Sequence, residues 1–316
     1  MNSDLILILT SGRSGSTWIH SILKKFYEKE IIIERTEGKD TGYHPRKLFK
    51  SHLLGETEKI IKETNFFSKE IKSIEKKLKH GISYIDTGWV IYAALPVFIS
   101  YFSNRLKILY LVRNPFKVAA SWTNRGIYSK ERFNDYIHKE AFLTPNDFGV
   151  FYPEFSKNWE KMNCFEKNLF NWAEIQLFAK KIRKKEPNIE WLEIKFEDII
   201  YERTARNDLF KFLNLPYKFE IEDHLKYRIG KNKESLKKKW PIRKQWRLYK
   251  NVPQAVEIAK QFGYSVDKNG LNKLMKRYNV NNKILFYEYA IGIIHSFFNN
   301  YPILRTIKNK IILSKK

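Results

Sequence analysis

Nine residues near the start of the chain, Thr10-Ser11-Gly12-Arg13-Ser14-Gly15-Ser16-Thr17-Trp18, concentrate the groups that hold a phosphate. Gly12 and Gly15 admit backbone conformations and close approaches that a side chain would block. Arg13 offers a charged fork, and Ser14, Ser16 and Thr17 offer hydroxyl donors. The stretch lies between an apolar run, Leu5 to Leu9, and an amphipathic run, Ile19 to Tyr27. That pattern predicts strand, loop and helix, with unpaired N–H groups and the positive end of the helix dipole facing an anion. The spacing G-x-x-x-x-G-K-(S/T) of an ATP-binding loop is absent, as is its lysine. So is the dinucleotide-binding G-x-G-x-x-G.

A second constellation begins at Arg113. The apolar run Lys107 to Val112 predicts a buried strand that leads directly into Arg113-Asn114-Pro115, with Ser121 further on. Asn114 suits a helix N-cap and Pro115 the first helical position, so a helix starts there. Arg113 then stands at the carboxyl end of a strand, the edge where open α/β sheets bind ligands, and Ser121 about two turns into the helix.

Arg13-Ser14-Gly15-Ser16-Thr17-Trp18 resembles the 5′ loop of the sulfotransferase family, and Arg113-Asn114-Pro115 with Ser121 eight residues after Arg113 resembles that family's 3′-phosphate motif. Lys195-Phe-Glu-Asp-Ile-Ile200 followed by Leu209 to Pro216 is similar to a late architectural stretch of the same family. The resemblance implies the sulfuryl donor 3′-phosphoadenosine 5′-phosphosulfate and no metal. It implies that the backbone of Ser14 to Thr17, Gly15 included, holds the 5′-phosphate and the sulfuryl oxygens. Arg113 and Ser121 would fix the 3′-phosphate. Arg13 would neutralise the bridging oxygen as the S–O bond breaks. Trp18 matches a position whose ring packs against adenine; a tryptophan in the first turn of a helix beside a buried strand is equally a core residue.

A base must take the acceptor's proton, and several residues compete for that role. Glu34 ends the second strand candidate and resembles the catalytic glutamate of carbohydrate sulfotransferases. Lys50-Ser51-His52 resembles the K-T-H of the cytosolic branch, although about fifty residues too far ahead of the 3′-phosphate strand. His44 and Glu37 are further candidates on the same loop. Downstream, Lys237 to Arg247 occupies the place of a basic loop over the donor. Arg243 and Lys244 are the candidates for closing on the 3′-phosphate; the alternatives are a patch for an anionic acceptor and a solvated charge run.

The elements that must position these residues alternate strand and helix, which predicts an α/β, P-loop-like single domain: a central parallel sheet of about five strands with helices on both faces. Strands are predicted at Leu5 to Leu9, Ile31 to Ile33, Ile82 to Ile85, Lys107 to Val112 and Glu190 to Ile194. Helices are predicted at Thr17 to Glu28, Glu56 to Lys79, Trp89 to Phe102, Pro115 to Asn124, Cys164 to Lys185 and Arg203 to Leu213. The domain is expected over residues 1–280, with insertions near 35–80 and 126–163, and a basic amphipathic extension over 281–316. Length 316, 43% hydrophobic and 16% aromatic residues place the chain with globular proteins. One cysteine, Cys164, excludes an intrachain disulfide framework. The expectation is a cytoplasmic protein without a secretory signal or a spanning helix.

Net charge is +25, and from His224 to Lys316 there are 22 Lys and Arg against four acids. Such an excess attracts anions, yet heavy Lys, Ile and Asn usage inflates lysine without a partner, so nucleic acid is not expected. The aromatic and apolar run after Lys283, followed by a lysine tail, suits either peripheral association with anionic membrane or a helix docked on the domain or dimerising. The function expected is sulfuryl transfer to a hydroxyl of a small molecule or glycan, with a carbohydrate or glycolipid favoured. The alternative is a catalytically inactive nucleotide-binding or basic membrane- or nucleic-acid-binding scaffold.

Overall fold

A computed structural model describes residues 4–36, 46, 55–56, 59, 65–123, 125–128, 141–225 and 252–264. Five parallel strands form one sheet: β1 (Leu5–Leu9), β2 (Ile32–Glu34), β3 (Tyr84–Asp86), β4 (Leu106–Val112) and β5 (Glu190–Lys195), in the order β2-β3-β1-β4-β5. All five side chains of β1 are fully buried because helices cover both faces. Leu5, Leu7 and Leu9 point into one core and Ile6 and Ile8 into the other, so an unbroken apolar run serves two cores with a period of two.

Helix α1 (Ser16–Tyr27) lays Trp18, Ile19, Ile22 and Leu23 on the Ile6/Ile8 face. The opposite face takes α2 (Asn65–Lys79), α3 (Leu95–Phe102), α4 (Pro115–Thr123) and α5 (Cys164–Lys185). In α2 the buried residues Ile71, Ile74 and Leu78 recur at helical spacing, whereas Lys72, Lys76 and Lys79 are exposed. A capping box starts α5: Glu166 N–H donates to Asn163 Oδ1 at 2.9 Å and Asn163 N–H to Glu166 Oε2 at 3.0 Å. Past β5 the chain forms α6 (Phe196–Tyr201), α7 (Arg203–Phe212), α8 (Ile221–Leu225) and α9 (Pro253–Gln261).

This topology makes a crevice. Strands β1 and β4 are neighbours in register from Leu5↔Leu106 to Leu9↔Tyr110, but the helices that follow them pack on opposite faces. The loops leaving their carboxyl ends therefore diverge, which is the switch point where open α/β sheets bind ligands.

Three predicted boundaries are corrected. Trp89 to Phe102 is not one helix but a 3₁₀ turn, Trp89–Ala93, followed by α3, because Pro96 in the first turn has no N–H to continue a helix. Glu56 is not helical, whereas Lys59 is. Lys195 closes β5, and the residues after it form a short helix. Within 126–163 the described part holds a 3₁₀ helix, Pro153–Lys161. The extension expected over 281–316 lies outside the described residues, as do Glu37, His44, His52, Arg243 and Lys244. No described helix is long and apolar enough to cross a membrane.

Candidate active site

The loop after β1 turns on left-handed backbone: Gly12 has φ +74°, Arg13 φ +54° and Gly15 φ +105°. Gly15 is the N-cap of α1; no side chain caps that helix, and its first turn holds no acidic residue. The N–H groups of Ser16 and Thr17 have no acceptor among the described residues, so the positive end of the dipole faces the loop. Both glycines are required by their neighbours. A Cβ at Gly12 would run into the Trp122 ring of α4, and one at Gly15 into the Phe196 ring of α6. A non-glycine residue at φ +54° costs roughly 1–3 kcal/mol and persists where its surroundings over-determine it; Arg13 is such a residue.

Those surroundings are the second motif. Arg113 donates from its NH1 group to the Arg13 carbonyl at 2.6 Å, and Arg13 Nε–H donates to Ser121 Oγ at 2.8 Å. The Arg13 guanidinium lies 5.9 Å from the Trp122 ring centroid and that of Arg113 5.3 Å from Phe196. Trp122 Nε1–H donates to Ser11 O at 3.1 Å, tying α4 to the loop. Asn114 caps α4, its Oδ1 accepting from the N–H groups of Phe116 at 3.0 Å and Lys117 at 3.2 Å. Residues a hundred positions apart thus place two guanidinium groups, one hydroxyl and one helix N-terminus around a single crevice. That arrangement can hold an anion with several negative oxygens and stabilise charge developing on one of them.

Two side chains of this segment turn inward. Ser14 is fully buried and its hydroxyl donates to Gly12 O at 3.1 Å, so what it can offer a ligand is its backbone N–H. Trp18 is 5% exposed and meets Phe196 edge-on at 6.3 Å between centroids. It packs into the core against Phe196, one of the two roles its position allowed.

Glu34 ends β2 at the same carboxyl edge, paired in register with Asp86 of β3, and its side chain is exposed. Its carbonyl accepts from Thr87 N–H at 3.0 Å and from Thr87 Oγ1 at 3.1 Å. Asp86, 2% exposed, accepts from Thr36 N–H at 3.1 Å, from the Thr36 hydroxyl and from Gly88 N–H at 2.6 Å. Burial pushes its carboxyl up although all three bonds pull it down. Asp86 therefore staples the turn after β2 to the turn after β3.

His20, one turn beyond Thr17 on α1, was not singled out from the sequence. Its Nδ1 is 3.0 Å from Thr87 Oγ1. The seven-residue offset from Arg13, on the same helix as the loop hydroxyls, was the available signal. The strand directly ahead of β4 is β3, which ends at Asp86, and the Thr87-Gly88 that follows carries no histidine where a K-T-H would stand. Further out, Arg46 makes a bidentate pair with Asp147, Nε to both carboxylate oxygens at 2.9 Å and NH2 to Oδ1 at 2.5 Å, and Asp147 also accepts from Thr144. Among the described residues no group of three or more His, Cys, Asp or Glu side chains is placed to hold a metal ion.

Several solved structures are similar to this chain. The sulfotransferase domain from the curacin biosynthetic pathway is 17% identical, covering 84% of this chain and 99% of that one, with a TM-score of 0.45. The sulfotransferase domain of the Synechococcus PCC 7002 olefin synthase is 14% identical, covering 84% and 97%, also at 0.45. Mouse sulfotransferase SULT7A1, solved in complex with PAP, is 16% identical, covering 70% of this chain and 63% of that one, at 0.37. No curated protein matches the sequence. The sulfotransferase domain model matches residues 3–251, a span that includes both motifs and every strand of the sheet, and the chain therefore belongs to the sulfotransferase family, enzymes of sulfuryl transfer.

Proposed function

We propose that this sulfotransferase takes its sulfuryl group from 3′-phosphoadenosine 5′-phosphosulfate and passes it to a hydroxyl on a carbohydrate or glycolipid by in-line displacement. The observation that carries the reading is the contact of the two motifs, Arg113 on Arg13 and Arg13 on Ser121, at the crevice between α1 and α4. The residues fit the donor. Gly12 and Gly15 let the loop turn in left-handed backbone against Trp122 and Phe196, and the N–H groups at the start of α1 suit the 5′-phosphate and sulfuryl oxygens. Arg113 and Ser121 suit the 3′-phosphate, and Arg13 sits between the two positions, where it can meet charge on the bridging oxygen. Arg243 and Lys244 would close over the 3′-phosphate. Glu34, exposed at the end of β2 and 21 residues after Arg13, stands on the acceptor side and supports a sugar hydroxyl as acceptor.

The test is a thermal-shift titration with adenosine 3′,5′-bisphosphate, ADP and 5′-AMP. At about a hundred times Kd a ligand adds roughly 2.7 kcal/mol of stability. Stabilisation is expected to require the 3′-phosphate. Arg113→Ala should weaken binding by about ten- to a hundredfold, the loss of one charge-assisted contact. An equal response to all three nucleotides, or none, would favour a basic scaffold instead. Residues 281–316 are proposed to hold the enzyme at anionic membrane; failure of the full chain to bind anionic vesicles at low salt removes that part alone.

A further inference from the structure

We propose that His20 is the proton acceptor of the transfer, a role that rests on the sulfuryl-transfer reading above. The geometry at the carboxyl edge of β3 carries it. With the Thr87 hydroxyl proton on Glu34 O, Thr87 Oγ1 accepts from His20 Nδ1, and the proposal takes the ring in this Nδ1–H tautomer. In that tautomer Nε2 keeps its lone pair, and no described residue pairs with it. The contact with Thr87 fixes the ring's orientation.

Among the described residues, the end of β3 itself offers no base. Asp86 is committed to Thr36 and Gly88, Thr87 is a hydroxyl, and a Cβ at Gly88 would run into the Thr36 carbonyl. His20 comes instead from α1, one turn past Thr17 on the same helical face, so its ring is tied to the loop proposed to hold the donor. The charged groups around it are Lys24 on its own helix, Arg35 after β2, Glu34 in β2 and Asp86 in β3. Burial, then Arg35, then Lys24 lower the imidazole's pKa and keep it neutral near pH 7.

In the step itself the acceptor oxygen forms a bond to sulfur. The bond between sulfur and the bridging oxygen breaks, with its electron pair passing to the 5′-phosphate oxygen beside Arg13. The acceptor's proton goes to His20 Nε2. The products are the sulfated acceptor, adenosine 3′,5′-bisphosphate and an imidazolium that later returns its proton to water.

The experiment uses the full chain with water as acceptor and reads release of adenosine 3′,5′-bisphosphate from the phosphosulfate across pH 4.5–8, beside the nucleotide titration above. His20→Asn should lower turnover by about 10²- to 10⁴-fold, the range for loss of a general base, with the bisphosphate Kd within about twofold of wild type. Wild type should lose activity on the acid side, below the ordinary imidazole value near 6.5, and His20→Asn should lose that limb. Glu34→Gln should keep it. Thr87→Val should shift it with a smaller loss of rate. Wild-type turnover in His20→Asn with normal nucleotide binding overturns the proposal. So does disappearance of the acid limb in Glu34→Gln. Long-range ¹H–¹⁵N correlation on the unsubstituted protein gives a readout independent of any variant: the Nδ1–H tautomer is expected near pH 7, and an Nε2–H tautomer or an imidazolium overturns the assignment. A wild-type chain that does not bind the bisphosphate sinks the donor reading and this one together, before any variant is compared.

Discussion

Arg13 shows how one residue joins two motifs: its left-handed backbone is held by Arg113 on the carbonyl and by Ser121 on the side chain. Gly15→Ala tests how tightly that geometry is set. The substitution meets both a φ of +105° and the Phe196 ring. It should cost about 1–3 kcal/mol of stability by overpacking and strain and abolish the bisphosphate-induced shift in melting temperature. Away from the crevice, Glu174 is fully buried and accepts from the N–H groups of Phe151 at 2.7 Å and Tyr152 at 2.9 Å. Burial pushes its carboxyl up to about 7, against the pull of those two bonds. A folded pKa above the unfolded one means the native state holds the proton through that window. The stabilisation is complete below about 4.5 and is lost as pH rises through about 7, a swing of about 3 kcal/mol. Urea titrations across this range should show the fall in wild type and a flatter profile in Glu174→Gln, which has no proton to lose.

At the scale of elements, the active edge is built from strand ends that other segments hold in place. Asp86 joins the turns after β2 and β3, pairs in register with Glu34 and precedes Thr87. Asp86→Ala leaves the buried Gly88 N–H without an acceptor, at a cost of about 1–3 kcal/mol, and frees the two half-buried donors of Thr36. Chemical denaturation should show a marked destabilisation, and turnover should fall further than bisphosphate affinity. Arg46 and Asp147 link the segments around 35–55 and 126–163, which are proposed to meet the acceptor. Breaking the pair should raise the acceptor KM while leaving the bisphosphate Kd unchanged. Arg46→Lys should not restore it, because an ammonium cannot reproduce the bidentate fork.

Across the whole molecule, a net charge of +25 surrounds a site built for anions. A field of one sign raises association rates, and salt screens it within about 10 Å at 0.1 M. Stopped-flow binding of adenosine 3′,5′-bisphosphate should therefore show an on-rate that falls several-fold between about 0.05 and 0.3 M salt, with little change in the off-rate. An off-rate that carries the salt effect would locate it in the direct contacts of Arg13 and Arg113 instead.

Sequence alone determined the local units, because their causes are local. An apolar run of five residues, two glycines at a turn, an asparagine cap and a proline at the first helical position each act within a few residues. The parallel α/β class, the strand–loop–helix at Arg13 and the strand–helix boundary at Arg113 were legible for that reason. Tertiary structure decided the rest. The strand order β2-β3-β1-β4-β5 puts Arg113 and Ser121 onto Arg13, and no periodicity encodes which strands become neighbours. Long-range packing turned Trp18 inward against Phe196. It also brought His20 to Thr87 across 67 positions, a contact that exists because α1 and the end of β3 meet over the same sheet edge.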